Sequence, residues 1–161
     1  MIIRKANIDD IERINDIYNQ AVLNTTATID TEPRPLEYHK KWFEAHNDRY
    51  AVFVAIEEDI VVGWASLSLW SDKCGYRAVA EDSIYVDEAY KGRGIGDKLI
   101  KKIIEHAKEN EFHTIVARIS EGNDVSIHLH EKYGFKIVGT LKELGYKFNR
   151  YLDIHILQLI L

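Results

Sequence analysis

Ile11, Ile14, Ile17 or Tyr18, and Ala21 or Val22 recur at the three- and four-residue spacing of one helix face, which predicts a helix after Asn7. Asn7 suits its N-cap, with Asp10 three residues on as a shortened capping box. Leu36–His46 predicts a second helix, anchored by Tyr38, Trp42 and Phe43. Leu99, Ile100, Ile103, Ile104 and Ala107 mark one face of a third over Asp97–Asn110. A short fourth spans Asn123–Tyr133, with Gly134 as its cap. Between them lie apolar or alternating runs that predict strands: Ile2–Lys5, Ala51–Ile56, Ile60–Leu69, Ala80–Val86, Thr114–Ile119, Phe135–Val138 and Tyr151–Leu159. Glu57–Asp59 turns the second run into the third as a hairpin. Asn24–Pro35 is Thr-rich and holds both prolines, so it reads as a loop, placed where a substrate wall would stand. Trp70–Tyr76 is another loop. A β-α-β centre with hairpins outside it predicts an α/β chain, a mixed sheet with helices on both faces.

Composition narrows the function. The 161 residues suit one domain, 1–161, with a sizeable core. A hydrophobic fraction of 46% and a charged fraction of 29% are those of an ordinary globular protein. A formal charge of -5 and a pI near 5.8 argue against nucleic acid as a partner. Cys74 is alone, so no disulfide framework or cysteine metal site is expected. His128 and His130 stand two apart on a predicted helix and face different ways, a poor metal pair; no metal is expected. No long apolar run follows Met1–Lys5 and none approaches a membrane span, so a cytoplasmic chain with no membrane partner is the expectation.

The most informative stretch is Lys91-Gly92-Arg93-Gly94-Ile95-Gly96, between the run Ser83–Val86 and the third helix. Strand, glycine-spaced basic loop, helix is the order of an anion cradle. Glycines let the backbone approach a ligand, and a helix N-terminus adds free N–H donors and the positive end of its dipole. A dinucleotide G-x-G-x-x-G pattern fails at Asp97, and a Walker A loop fails for want of a Lys-Ser or Lys-Thr after glycine. The run does match [Q/R]-x-x-G-x-[G/A] at its small positions, with Lys91 in place of Gln or Arg. Lysine keeps the charge without the guanidinium fork.

That pattern resembles the pyrophosphate loop of the GNAT acetyltransferases. Asn123-Asp124-Val125-Ser126-Ile127-His128-Leu129-His130 through Gly134-Phe135 resembles the GNAT helix N-x-x-S-x-x-L-[YFH]-x-x-x-G-F. Tyr18-Asn19 with Thr26–Thr28 and Thr31–Pro33, Tyr76–Glu81, and Lys147–Asp153 resemble segments of the phosphinothricin acetyltransferase group. The resemblance covers almost the whole chain. It implies the GNAT acyl-CoA N-acyltransferase fold, a mixed, mostly antiparallel sheet of about seven strands, and acetyl transfer by direct attack from acetyl-CoA, the co-substrate, to a primary amine. It also implies that the backbone of Ile84, Tyr85 and Val86 pairs with the pantetheine amides. The loop Lys91, Gly92, Arg93, Gly94, Ile95 and Gly96 then holds the pyrophosphate, with Asn123 and Ser126 facing the cofactor.

An ammonium must lose a proton before it attacks a thioester, and a nearby carboxylate takes it. Glu81 matches the group's carboxylate in that role, and His130 is the second candidate, as base or substrate guide. Tyr133 matches a tyrosine that protonates the departing thiolate. Arg77 suits a substrate carboxylate, with Tyr76 and Lys147 closing the pocket. The expected acceptor is a small amino acid or analogue of the phosphinothricin or methionine sulfoximine type. A protein amino terminus is the rival acceptor, and a non-catalytic acyl-CoA sensor the rival from another class. The resemblance also implies a homodimer.

Overall fold

Asn7 begins the first helical segment as its side chain predicts. Its carboxamide accepts from Asp9 N, and Asp10 reaches back to Asn7 N at 2.8 Å. A single turn, Ile8–Asp10, leads into α1 (Ile11–Asn24). The computed structural model describes residues 1–161. The remaining helices are α2 (Leu36–Glu44), α3 (Ile95–Glu109) and α4 (Asp124–Lys132). The strands are β1 (Ile2–Lys5), β2 (Val52–Glu57), β3 (Ile60–Leu69), β4 (Val79–Val86), β5 (Thr114–Ser120), β6 (Lys136–Lys147) and β7 (Arg150–Ile160). They form one seven-stranded sheet in the order β1-β2-β3-β4-β5-β7-β6. Only β4 and β5 pair in parallel, as the intervening α3 requires.

Two apolar layers cover the two faces. Leu99, Ile100 and Ile103 of α3 pack on Phe53, Ala65, Ala80 and Ile115, all fully buried. Ile11, Ile14 and Ile17 of α1 pack on Val54 and Trp64 on the other face, with Trp42 of α2 against Trp64. Along β4 this alternation sends Ala80, Asp82, Ile84 and Val86 toward α3 and α4. Glu81, Ser83 and Tyr85 point toward α1 and α2.

The fold agrees with the sequence reading except at boundaries and in one strand. α3 starts two residues early, at Ile95, because the glycine loop itself closes its first turn. The strand expected over Phe135–Val138 runs to Lys147. Its apolar alternation is broken by register shifts between Ile137 and Gly139 and between Leu141 and Gly145, and Glu143 sits at φ 51°. Most of β6 is exposed, so no buried face imposes a period of two.

Candidate active site

A cavity of about 640 Å³ opens between β4, the loop into α3, the start of α4 and Thr25–Ala27, just past α1. That is the size of a small-molecule site. At one end lies the N-terminus of α3. Gly94 is its N-cap, at φ 74°, in the left-handed region that glycine tolerates, and no side chain caps the first turn. The first intrahelical bond is donated by Lys98 N to Gly94 O. The N–H groups of Ile95, Gly96 and Asp97 therefore have no helix acceptor, and all three residues line the cavity. A Cβ on Gly92 or Gly94 meets nothing within 4 Å; it would stand in the space a ligand needs. Lys91 lines the same end and is exposed. Asp97 brings a negative charge there, but Lys132 binds its carboxylate and holds it below the usual carboxylate range. This end fits a pyrophosphate.

At the other end the sheet forks. β4 and β5 pair only over Val79↔Thr114, Ala80↔Ile115 and Glu81↔Val116. Beyond them β5 stays with β7 and β4 with β3, so the edge of β4 from Asp82 to Val86 faces no strand. Such an edge fits the amides of an extended chain. A small cavity of about 50 Å³ sits in the fork, lined by Asp82, Ser83, Arg118, Asn123, Ser126 and His130 among others. Ile84, Tyr85, Asn123 and Ser126 line both cavities, so the two adjoin.

His130 stands behind the fork, buried. Its Nδ1 lies 2.7 Å from the Ser126 carbonyl and its Nε2 2.9 Å from Asp82 Oδ2. A carbonyl accepts only, so Nδ1 carries a proton; a second proton lies between Nε2 and the carboxylate. Burial pulls the imidazole pKa down. The Asp82 hydrogen bond and charge, with the Ser126 carbonyl, more than reverse this and leave it raised. Neither nitrogen is free to meet a substrate. The part of this group that reaches the large cavity is Ser126, whose Oγ lies 3.4 Å from His130 Nδ1.

Glu81 sits at the last position where β4 pairs with β5, on the opposite face. Arg118 grips both its oxygens, Nη2 donating to Oε1 at 2.8 Å and Nε to Oε2.

Several expected residues lie elsewhere. Tyr133 follows the end of α4, and its hydroxyl donates to the Asp97 carbonyl at 3.2 Å rather than into either cavity. Arg93 turns away from the cradle, over the Tyr90 ring and toward Glu57, while its neighbours line the cavity. Tyr76 and Arg77 are exposed on the turn before β4 and bound to no side chain. Lys147 is buried, and its ammonium donates to the Thr28 carbonyl at 2.9 Å. It pins the 24–35 loop instead of facing a substrate, and burial lowers its pKa. Of that loop, Thr25–Ala27 does form a cavity wall. Sequence reasoning missed Asp82 and Arg118. Asp82 had a signal: it is a carboxylate on the face of β4 that carries Ala80, Ile84 and Val86 into the core, and a buried charge needs a partner.

Comparison with known proteins agrees with this geometry. The family described as "Acetyltransferase (GNAT) domain" matches residues 3–156. The chain is 39% identical over 159 residues to the L-methionine sulfoximine/L-methionine sulfone acetyltransferase of Pseudomonas paraeruginosa, covering 98% of this chain and 92% of that one. The fold superposes on a ribosomal-protein-alanine N-acetyltransferase from Brucella melitensis with a TM-score of 0.96, at 41% identity and full coverage of both chains. It also superposes on a GNAT superfamily phosphinothricin acetyltransferase from Sinorhizobium meliloti in complex with acetyl-CoA. There the TM-score is 0.94 at 31% identity, over 99% of this chain and 88% of that one.

Proposed function

The chain belongs to the GNAT acetyltransferase family and is an acetyl-CoA-dependent N-acetyltransferase, and we propose that its acceptor is the free amine of a small amino acid or analogue, of the methionine sulfoximine or phosphinothricin type. The observation that carries the reading is the cavity itself. It runs from an uncapped helix N-terminus to an unpaired strand edge at a fork, with a carboxylate on one side of the fork and a protonated histidine on the other.

Acetyl-CoA, when bound, supplies the thioester and the leaving thiolate. The free N–H groups of Ile95 and Gly96, with Lys91, hold its pyrophosphate. The β4 edge from Ile84 to Val86 orients the pantetheine. Glu81 takes the proton that the acceptor ammonium must lose, directly or through water. Ser126 Oγ, backed by His130 and Asp82, donates to the sulfur as its charge grows. The side of the amine is therefore the α1/α2 face, and the side of the thiolate is the α3/α4 face.

The likeness to a ribosomal-protein-alanine N-acetyltransferase favours a second reading, an amino-terminal alanine as acceptor. A thiol-release assay separates the two. Methionine sulfoximine, methionine sulfone, phosphinothricin and the common amino acids are compared with short peptides that begin with alanine. Turnover with free amino acids and none with peptides is expected; the reverse pattern overturns the reading.

Pairing with a second copy is part of the proposal. β6 is an edge strand and exposes Val138, Leu144 and Tyr146, with Tyr151 beside it on β7. Light scattering at micromolar concentration is expected to give twice the chain mass, and a monomer mass removes the dimer. No helix is long and apolar enough to cross a membrane. A reducing cytoplasmic setting, also proposed, suits the exposed Cys74 thiol.

A further inference from the structure

We propose that Glu81 and Arg118 together form the receptor for the zwitterionic head of an α-amino acid, Arg118 taking the α-carboxylate and Glu81 the α-ammonium. The inference rests on the amino-acid reading above and names the residues that read that class.

The placement comes from the sheet. Glu81 faces Val116 in the last pair before β4 and β5 part, and Arg118 stands two residues further along β5, on the same face as Val116. The two side chains therefore meet where the acceptor must arrive. Their contact is bidentate, yet it is no structural pair locked in the core. Arg118 is 57% exposed and its side chain donates to nothing but Glu81. Trp70 flanks the guanidinium, its ring centre 5.8 Å away. The guanidinium lies open to water while the Glu81 side chain is 18% exposed, so Arg118 can swing off the carboxylate and stay solvated.

The chemistry is complementary in both halves. A guanidinium has five N–H donors and a carboxylate roughly four acceptor positions, so the mutual contact leaves most of each free. An α-amino acid carries one carboxylate and one ammonium on adjacent atoms. Inserted between the two side chains, it gives Arg118 a carboxylate to replace Glu81 and gives Glu81 an ammonium to replace the guanidinium. Each charge keeps a charge-assisted partner. The exchange also brings the amine onto the carboxylate that deprotonates it. Arg118 lines the small fork cavity, which adjoins the large one, so the amine arrives beside the path of the pantetheine. Arg77, the guanidinium nearest in sequence to Glu81, is exposed on the turn before β4 and is bound to no side chain.

The test measures steady-state kinetics of the full chain, Arg118→Ala, Arg118→Lys and Arg77→Ala with methionine sulfoximine and with its carboxamide. Circular dichroism checks that each variant is folded. Arg118→Ala is expected to raise KM for the acid about tenfold or more, with KM for acetyl-CoA unchanged; Arg118→Lys recovers part of the loss. The carboxamide is expected to be a poor acceptor for the parent chain and insensitive to Arg118→Ala. An unmoved KM for the acid in Arg118→Ala, with a raised KM in Arg77→Ala, overturns the assignment while leaving the amino-acid reading intact. Equal use of acid and carboxamide by the parent chain overturns it without any variant. A parent chain that acetylates only peptides removes both.

Discussion

Asp82 Oδ2 lies 2.9 Å from His130 Nε2, and both side chains are almost wholly withdrawn from water. The pair joins the middle of β4 to α4 across the fork in the sheet. With Nδ1 spoken for by the Ser126 carbonyl, the histidine is held doubly protonated against a carboxylate. This puts a proton store next to Ser126, a hydroxyl residue that lines both cavities.

The pair makes stability depend on pH. The pKa of His130 is raised in the folded chain. Its stabilisation is therefore complete below the unfolded value of about 6.5 and is lost as pH climbs through the higher folded value. Denaturant unfolding measured across that range is expected to show stability falling with rising pH. Asp82→Asn pairs with a neutral imidazole and flattens this slope. Asp82→Ala leaves a buried imidazole that burial holds neutral, with Nε2 unpartnered, and costs about 1–3 kcal/mol. An unchanged slope in Asp82→Asn contradicts the assignment.

Glu81→Gln keeps the shape of the side chain and removes its basicity. Turnover with methionine sulfoximine at neutral pH is expected to drop about a hundredfold or more, the scale of a lost general base, while acetyl-CoA affinity holds. Full activity would move the proton to solvent.

Tyr133→Phe tests the departure from the family resemblance. The phenol hydroxyl is engaged with the Asp97 carbonyl outside both cavities. Turnover is expected to stay within a few-fold of the parent, with a stability loss of about 1 kcal/mol for the hydrogen bond. Ser126→Ala is expected to lose more turnover than Tyr133→Phe. The opposite order returns the thiolate's proton donor to Tyr133.

Gly94→Val places a β-branched side chain at φ 74° and a Cβ in the cradle. Thermal unfolding is expected to show the variant folded, with a slightly lower midpoint and little or no stabilisation by acetyl-CoA. A folded variant that gains as much stability from acetyl-CoA as the parent contradicts the cradle.

The sequence carried the cradle because its signal is local: three glycines and Lys91 between a strand and a helix need no partner to be read. The core faces were legible for the same reason, since Leu99, Ile100 and Ile103 repeat at the helical period. Glu81 was legible as a candidate, but Arg118 was not. Their contact depends on a parallel register that pairs residues 35 apart, as Glu81 with Val116, which no local pattern encodes. An arginine alternating with buried Ala117 and Ile119 reads only as the outer face of a strand. Tyr133 was read from its match to a tyrosine of the resembling family, which does not say where the phenol points. The helix ends at Lys132, and the turn after it aims the phenol at α3. Lys147 was read as a pocket residue from the resembling segment Lys147–Asp153; its burial against the Thr28 carbonyl follows from the β6–β7 hairpin, whose first strand had no apolar alternation to announce it.

The acetyl donor is expected to lie from the α3 N-terminus to the β4–β5 fork, with Glu81 and Ser126 on opposite sides of its thioester. A crystal structure of the chain with coenzyme A and methionine sulfoximine tests it most directly. The pyrophosphate is expected within hydrogen-bond distance of the Ile95 and Gly96 N–H groups, the sulfur beside Ser126 Oγ, and the acceptor amine against Glu81. A pyrophosphate away from the α3 N-terminus, or an amine on the α3/α4 face of the sheet, contradicts the account.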